Sequence, residues 1–130
     1  MNYSGYLTDK DGNKYFAGIV ESGSNSNGSY IKFSDGTMIC YLNIAVTDQA
    51  IDTKYGTSSL YFGRRTWTFP VAFINEPNVS CGQFKWGTGG SWGSASGATK
   101  TIAYLIGYDM YSRASGTRTI ISATAIGKWK

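Results

Sequence analysis

The chain has 130 residues, of which 17 are glycine, 15% are aromatic and only 15% are charged. This length suits one domain, and the composition argues against a helical bundle, because glycine weakens helices while aromatic and β-branched residues favour pleated sheets. The formal net charge of +4 is spread along the whole chain, which favours weak attraction to acidic surfaces over nucleic-acid recognition.

The first candidate element is the segment Asp9-Lys-Asp-Gly-Asn13, which matches the opening of a calcium loop. The match then fails, because Lys14 stands where the turning glycine is needed and Val20 where the bidentate glutamate is needed. We therefore predict a turn between Tyr6-Leu7 and Tyr15-Phe16, and calcium binding remains the alternative.

A hairpin follows. Ile31 and Phe33 alternate with polar residues, and Asp35-Gly36 readily takes the positive φ values of a tight β-turn. The next run places an apolar residue at every second position, which predicts a long strand with one buried side: Met38, Cys40, Leu42, Ile44 and Val46.

Later runs predict the remaining strands. They cover Tyr55 to Phe62, Trp67 to Phe73 with Pro70 indicating an edge or a bulge, Val79 to Lys85, Thr101 to Tyr111 and Thr117 to Trp129. In the fourth of these runs, one face carries Ile102, Tyr104, Ile106, Tyr108 and Met110. About seven short strands with turns between them favour an all-β fold, an antiparallel β-sandwich.

If each connection reverses the chain, alternate loops share one end of the sandwich. This count predicts that one end gathers Asp35-Gly36, a Gly63-Arg64-Arg65 connection and the loop from Trp86 to Lys100. The other end would gather Thr47 to Lys54, Asn75 to Asn78, and Ser112 to Gly116.

The candidate ligand-binding residues are Trp86, Trp92, Arg64 and Arg65. The two tryptophans lie in a Gly/Ser-rich segment, and an exposed indole can stack on a sugar face and donate its N–H to a hydroxyl. The alternative is that one or both fold back as lids over the core. The adjacent arginines could bind an anionic sugar or phosphate, and the alternative is a solvated turn.

We expect no catalytic residue, no metal site and no cofactor. The chain has no histidine, which removes histidine-based triads, and its two cysteines are too few for a zinc site. Cys40 and Cys81 lie among apolar strand residues, so we predict that both are free and buried. No signal peptide and no membrane-inserting segment are expected, because neither pattern occurs in the sequence.

Three stretches together carry a resemblance to a known family. Gly23 to Tyr41 has a Gly/Ser/Asn leader, an aromatic-bearing strand, an Asp-Gly turn and a strand with cysteine; Thr66 to Phe73 contains Phe-Pro-Val-Ala-Phe; Ala125 to Lys130 contains Ile-Gly-Lys-Trp. In this order the features resemble the receptor-binding tip domain of phage tail fibres of the H-type lectin-like family.

The resemblance implies an H-type lectin-like β-sandwich that forms a homotrimer on the virion. It implies a tip domain at residues 23–130 and, at residues 1–22, a neck segment that enters from an upstream fibre segment. An aromatic load that one small sandwich would bury incompletely also favours a trimer.

We therefore expect a non-enzymatic fibre tip that recognises a bacterial surface glycan during host attachment. Lipopolysaccharide, teichoic acid and capsule are acidic surfaces of this kind, and neither nucleic acid nor membrane insertion is expected. The protein would be made in the host cytoplasm and reside on the virion. The alternatives are a structural or assembly component of the tail without receptor contact, and a bacterial secreted lectin or bacteriocin fibre tip.

Overall fold

The computed structural model describes residues 6–8, 10–16 and 18–130, and these residues form eleven β-strands and no helix. The strands are β1 (Tyr6–Thr8), β2 (Lys14–Phe16), β3 (Ile19–Asn25), β4 (Gly28–Phe33), β5 (Thr37–Val46), β6 (Thr53–Lys54), β7 (Tyr61–Thr68), β8 (Asn78–Trp86), β9 (Trp92–Ala98), β10 (Ile102–Asp109) and β11 (Thr119–Lys128).

The strands form an antiparallel β-sandwich, as the sequence predicts. One sheet has the strand order β6-β7-β10-β9 and the other has the order β3-β4-β5-β11-β8. Strands β1 and β2 form a separate antiparallel pair, which confirms the predicted turn between them. Asp9, the first residue of the calcium-like motif, lies outside the described residues.

The core lies between the two large sheets. The five-stranded sheet contributes Met38, Cys40, Leu42, Phe84 and Ile121, and the four-stranded sheet contributes Trp67, Ala103 and Leu105; all are buried. In β5 the buried positions are every second residue, so the predicted alternation is confirmed. The hairpin before β5 also forms as predicted: Gly36 has a φ of 96° and its N–H donates to the Phe33 carbonyl at 3.1 Å.

Two predicted connections are in fact strands. The Gly63-Arg64-Arg65 segment lies inside β7, which runs without interruption from Tyr61 to Thr68. The segment from Trp86 to Lys100 is not one flexible loop, because Trp92 to Ala98 forms the edge strand β9 against β10. Glycine and serine were wrongly interpreted as loop residues at positions where they fit a sheet.

The predicted grouping of the ends is only partly right. The segments Thr47 to Lys54 and Ser112 to Gly116 do lie together, as predicted, since the Gly116 N–H donates to the Thr47 carbonyl and Ile51 pairs with Arg113.

The position predicted for Trp86 is wrong. In the five-stranded sheet Thr119, at the start of β11, pairs with Val46 and with Trp86. Trp86 therefore lies at the end that also holds the connection after β5 and the segment from Ser112 to Gly116. The Asp35-Gly36 turn lies at the opposite end, because Thr37 pairs with Lys128 at the other limit of β11.

The proposed neck and tip segments meet inside a strand of the sandwich. Strand β3 pairs with β4 from Ile19 onward, so the five-stranded sheet includes residues on both sides of the expected boundary at residue 23. No helix in the described part of the chain is long and apolar enough to span a membrane.

Both cysteines are free, as predicted, but only Cys40 is buried; Cys81 is partly buried. Burial raises the pKa of the Cys40 thiol to about 11, and burial also raises the pKa of Cys81. Because the thiolate is the reactive form, these values disfavour reaction at neutral pH.

A row of glycines on the inner face brings the two sheets together. Gly63, Gly107 and Gly93 are register partners on β7, β10 and β9. Phe84 of β8, which has no exposed surface, occupies the space above Gly107 and Gly93: an added Cβ at Gly107 would collide with its ring, and one at Gly93 would lie 2.7 Å from its Cβ. At Gly63 an added Cβ would instead collide with the carbonyl of Ala50. In the glycine row (Gly63, Gly107 and Gly93), Gly107 and Gly93 therefore form the seat for Phe84, the largest fully buried side chain, and Gly63 allows the close approach of Ala50.

We predict that Gly107→Ala destabilises the protein by about 1 to 3 kcal/mol, the usual cost of overpacking, because the added Cβ would collide with the ring of the fully buried Phe84. Urea unfolding measures the loss. The matched control is Gly90→Ala, where an added Cβ meets no atom within 4 Å. Equal midpoints for the two variants would show that Phe84 is not seated on the glycines.

Candidate functional site

The structure separates the four candidate residues. Trp92 and Arg64 lie on the outer face of the four-stranded sheet, where side chains point away from the core. Arg65 follows Arg64 in β7 and points to the opposite side, because successive strand residues alternate between faces. Trp86 belongs to the other sheet, at its end. The two arginines therefore do not form one anion site.

Aromatic rings cross the outer face of the four-stranded sheet from one edge to the other. Trp92 of β9, Tyr108 of β10 and Phe62 of β7 are successive register partners. The Trp92 and Tyr108 ring centroids are 5.8 Å apart with planes inclined by 25°. The Phe62 and Tyr55 rings form a T-shaped pair with a centroid distance of 5.6 Å and planes inclined by 74°. We refer to Trp92, Tyr108, Phe62 and Tyr55 as the outer aromatic row.

The two ends of the row are open to solvent. Trp92 retains 45% and Tyr55 retains 55% of its maximal exposure. An exposed aromatic ring on a rigid strand presents a large apolar surface at little entropic cost, and such rings are the usual contacts for flat, partly apolar ligands.

A single positive charge lies beside the outer aromatic row. The Arg64 guanidinium lies 5.3 Å from the centroid of the Phe62 ring and is exposed. Its partner across the sheet is Ile106, which pairs in turn with Ser94. The outward positions of β7, β9 and β10 include no Asp or Glu, so this face has an uncompensated positive charge.

Arg65 is occupied within the protein. Its Nη1 lies 3.0 Å from Oδ1 of Asp48 and 3.4 Å from Oε1 of Gln49. Gln49 is buried and its amide donates to the Ala50 carbonyl at 2.8 Å. Arg65 thus holds the connection after β5 against β7.

Trp86 is a lid, which was the alternative interpretation of its sequence context. Its indole N–H donates to the Ala114 carbonyl at 2.8 Å, and the Arg113 guanidinium stacks 4.7 Å from its ring centroid. The indole is partly buried and packs against the core. The contacts of Trp86 with Arg113 and Ala114 thus hold the segment after β10 over the end of the sandwich.

Asp109 organises this end of the molecule, and the sequence reasoning missed it. The carboxylate is 2% exposed and accepts hydrogen bonds from Ser91 Oγ at 2.8 Å, the Tyr111 N–H at 2.9 Å and Arg113 Nε at 3.0 Å. Its position in β10 could have revealed it, since Asp109 shares the inward face with Ala103 and Leu105. An acidic residue at a core position predicts dedicated partners.

The pKa of Asp109 lies below its ordinary value. Burial alone would raise the pKa, but the hydrogen bonds from the Tyr111 N–H, the Ser91 hydroxyl and the Arg113 guanidinium, with the arginine charge, outweigh burial. The carboxylate is therefore ionised near neutral pH and its negative charge is matched by Arg113.

No group of three potential metal ligands occurs among the residues that the structure describes. The site residues on the outer face are rings, hydroxyls and one guanidinium, which can stack, donate hydrogen bonds and attract an anion.

Comparisons with known proteins give a fold likeness. No family model and no curated protein matches the chain. Among solved structures, a C-terminal part of the P. aeruginosa R1 pyocin fibre shares 19% identity with this chain at a TM-score of 0.53. The match covers 83% of this chain and 28% of that one. An N-truncated R1-type pyocin tail fibre shares 18% identity with a TM-score of 0.55, and the match covers 83% of this chain and 86% of that one.

These similarities show the fold alone. A sandwich that covers most of the present chain also occurs in pyocin tail fibres, and the match takes in little more than a quarter of the longer structure.

Trp86→Ala should cost about 3 kcal/mol of stability, because it removes a partly buried ring, a hydrogen bond and the stack with Arg113. Trp92→Ala should cost about 1 kcal/mol, the value of one exposed aromatic pair. Urea unfolding of the two variants compares them directly. Similar losses in both would contradict the assignment of Trp86 as a lid and Trp92 as an open platform.

Asp109→Asn should lower stability near neutral pH by about 1 to 3 kcal/mol, since a neutral amide replaces a charged acceptor of three hydrogen bonds. The folded-state pKa of Asp109 is depressed, so its contribution is present above the unfolded pKa of about 4 and is lost as pH falls through the lower folded value. The stability gap between wild type and variant should therefore narrow on acidification.

Urea midpoints at about pH 7 and about pH 3 measure this gap. Asp52→Asn, which changes an exposed carboxylate, is the control and should leave both midpoints nearly unchanged. A gap of constant size at the two pH values would show that the Asp109 charge contributes nothing to folding.

Proposed function

We propose that this chain is the tip domain of a tail fibre and that it binds a glycan on a bacterial surface through the outer aromatic row. The observation that carries the proposal is the row itself: Trp92, Tyr108, Phe62 and Tyr55 cross one face of the sheet, and both of its ends are exposed.

Sugar rings present flat faces of C–H groups bordered by hydroxyls. Aromatic rings stack on such faces, and the hydroxyls then meet polar groups nearby. The outer face offers aromatic rings in the row and polar groups beside it, since Ser94 and Arg64 occupy the neighbouring outward positions. Since Trp92, Tyr108 and Phe62 lie on strands and not on loops, their spacing is held by the backbone hydrogen bonds of the sheet.

The tail-fibre part of the proposal has two supports. The two solved structures that share its fold are pyocin fibres, and the motifs between Gly23 and Trp129 resemble those of phage fibre tips. In this role the protein resides on the virion or a similar tail-like particle. We further propose that it joins an upstream fibre segment and works as a homotrimer, which light scattering coupled to size exclusion would detect.

Trp92→Ala should weaken adsorption to bacterial cells. One stacked ring is worth about 1 to 3 kcal/mol by analogy with bases on aromatic side chains, so affinity per site should fall about tenfold to hundredfold. Labelled protein is incubated with a panel of bacterial strains and the bound fraction is measured. Multivalent attachment would enlarge the difference on cells.

The control is Tyr41→Ala, because Tyr41 is 44% exposed on the outer face of the five-stranded sheet and lies away from the row. It should adsorb like the wild type. Equal adsorption by Trp92→Ala would remove the row as the receptor site. Adsorption of the wild type to no strain at all would instead favour an assembly role in the tail.

A further inference from the structure

Resting on the function proposed above, we propose that the ligand of the outer face is an anionic linear polysaccharide, and that a segment of about three consecutive sugars lies across the strands from Trp92 to Tyr55. The outer aromatic row and Arg64 define the length, the direction and the charge of this segment.

The length follows from the sheet. The row begins on β9, passes through β10 and β7, and ends beside β6, where Thr53 is the register partner of Phe62. Three strand spacings of about 4.8 Å give about 14 Å, which exceeds one monosaccharide and suits about three linked sugars. A single terminal sugar could cover Trp92 and Tyr108 but would leave the Tyr55 end unused.

The openness of the row indicates an internal segment of a chain. The residues at its two ends are about half exposed, at 45% for Trp92 and 55% for Tyr55. A polymer can therefore enter over the β9 edge and leave over β6. Trp92 stacks on Tyr108 with planes inclined by 25°, so Tyr108 supports one side of the indole while the exposed remainder of Trp92 is available to a sugar ring.

The charge follows from Arg64. Its guanidinium lies 5.3 Å from the Phe62 ring centroid, so the positive charge is next to the middle of the row. The outward residues of β7, β9 and β10 carry no acidic side chain to neutralise it. Guanidinium binds carboxylate and phosphate in a bidentate manner, and uronic acids or phosphodiesters in a polysaccharide supply these groups.

The first experiment applies the full chain to an array of purified bacterial surface polysaccharides, some neutral and some carrying uronic acids or phosphates. Binding should concentrate on the anionic polymers and decline with added salt, because exposed charges are screened. Fragments of the strongest-binding polymer are then tested in increasing length from the disaccharide. Affinity should rise until the fragment reaches about three sugars, the span of the row.

Variants connect these results to the structure. Tyr55→Ala should weaken binding about tenfold for fragments that span the row and leave disaccharide binding unchanged. Arg64→Gln should weaken binding about fivefold at low salt and reduce its salt dependence. Lys85→Gln, which removes an exposed positive charge from the other sheet, is the matched control and should retain wild-type binding.

Each outcome has one meaning. Binding to neutral polymers alone, or full affinity for a disaccharide, would overturn the extended anionic ligand while leaving glycan recognition intact. Wild-type affinity of both Tyr55→Ala and Arg64→Gln for the anionic polymer would also overturn the extended anionic ligand. Failure of the wild type on every glycan and every bacterial strain would overturn the proposed function itself.

Discussion

The contact between Phe84 and the glycine row is the interaction on which the arrangement of this sandwich depends. Gly63, Gly107 and Gly93 align across three strands, and Phe84 fills the space that side chains at Gly107 and Gly93 would otherwise occupy. This contact lets β8 of one sheet pack closely over the other sheet. Because neighbouring strand positions alternate between faces, the residues flanking the glycine row point outward, and three of them are Phe62, Tyr108 and Trp92. The inner seat and the outer aromatic row are thus two sides of the same strand segments.

The brace formed by Asp109, Arg113 and Trp86 fixes the end of the sandwich near the row. Asp109 holds Arg113, and Arg113 stacks on Trp86, whose indole donates to Ala114. The carboxylate also accepts a hydrogen bond from Ser91, the residue before Trp92. A buried ion pair stabilises only when its remaining hydrogen bonds are made, and here the carboxylate has three partners. The brace therefore positions the start of β9 and, with it, the first ring of the row.

Two tryptophans six residues apart differ in role because their surroundings differ. The indole N–H of Trp86 donates to the Ala114 carbonyl, and the Arg113 guanidinium covers its ring. Trp92 instead contacts Tyr108 on one side and is otherwise open to solvent. The same contrast separates Arg65, paired with Asp48, from Arg64, which has no acidic neighbour among the outward residues of β7, β9 and β10. The proposed glycan site consists of the residues that the fold leaves unused: rings and a charge on a rigid sheet face.

The sequence alone determined the fold class and the best hairpins, since period-two alternation in β5 and the Asp35-Gly36 turn are local signals that burial and φ preference impose directly. It also marked Trp92 and Arg64 as candidates through residue chemistry. It could not distinguish strand glycines from loop glycines, because Gly63 is required by the close approach of Ala50 and Gly93 by Cys81 and Phe84, and the same letters occur in flexible loops. Because of that one ambiguity, the sequence prediction interrupted β7, missed β9 and placed Trp86 at the wrong end of the sandwich. Only the tertiary structure decided which face each side chain occupies and which polar partners it has already used, because both depend on strand register and on contacts between residues far apart in the chain.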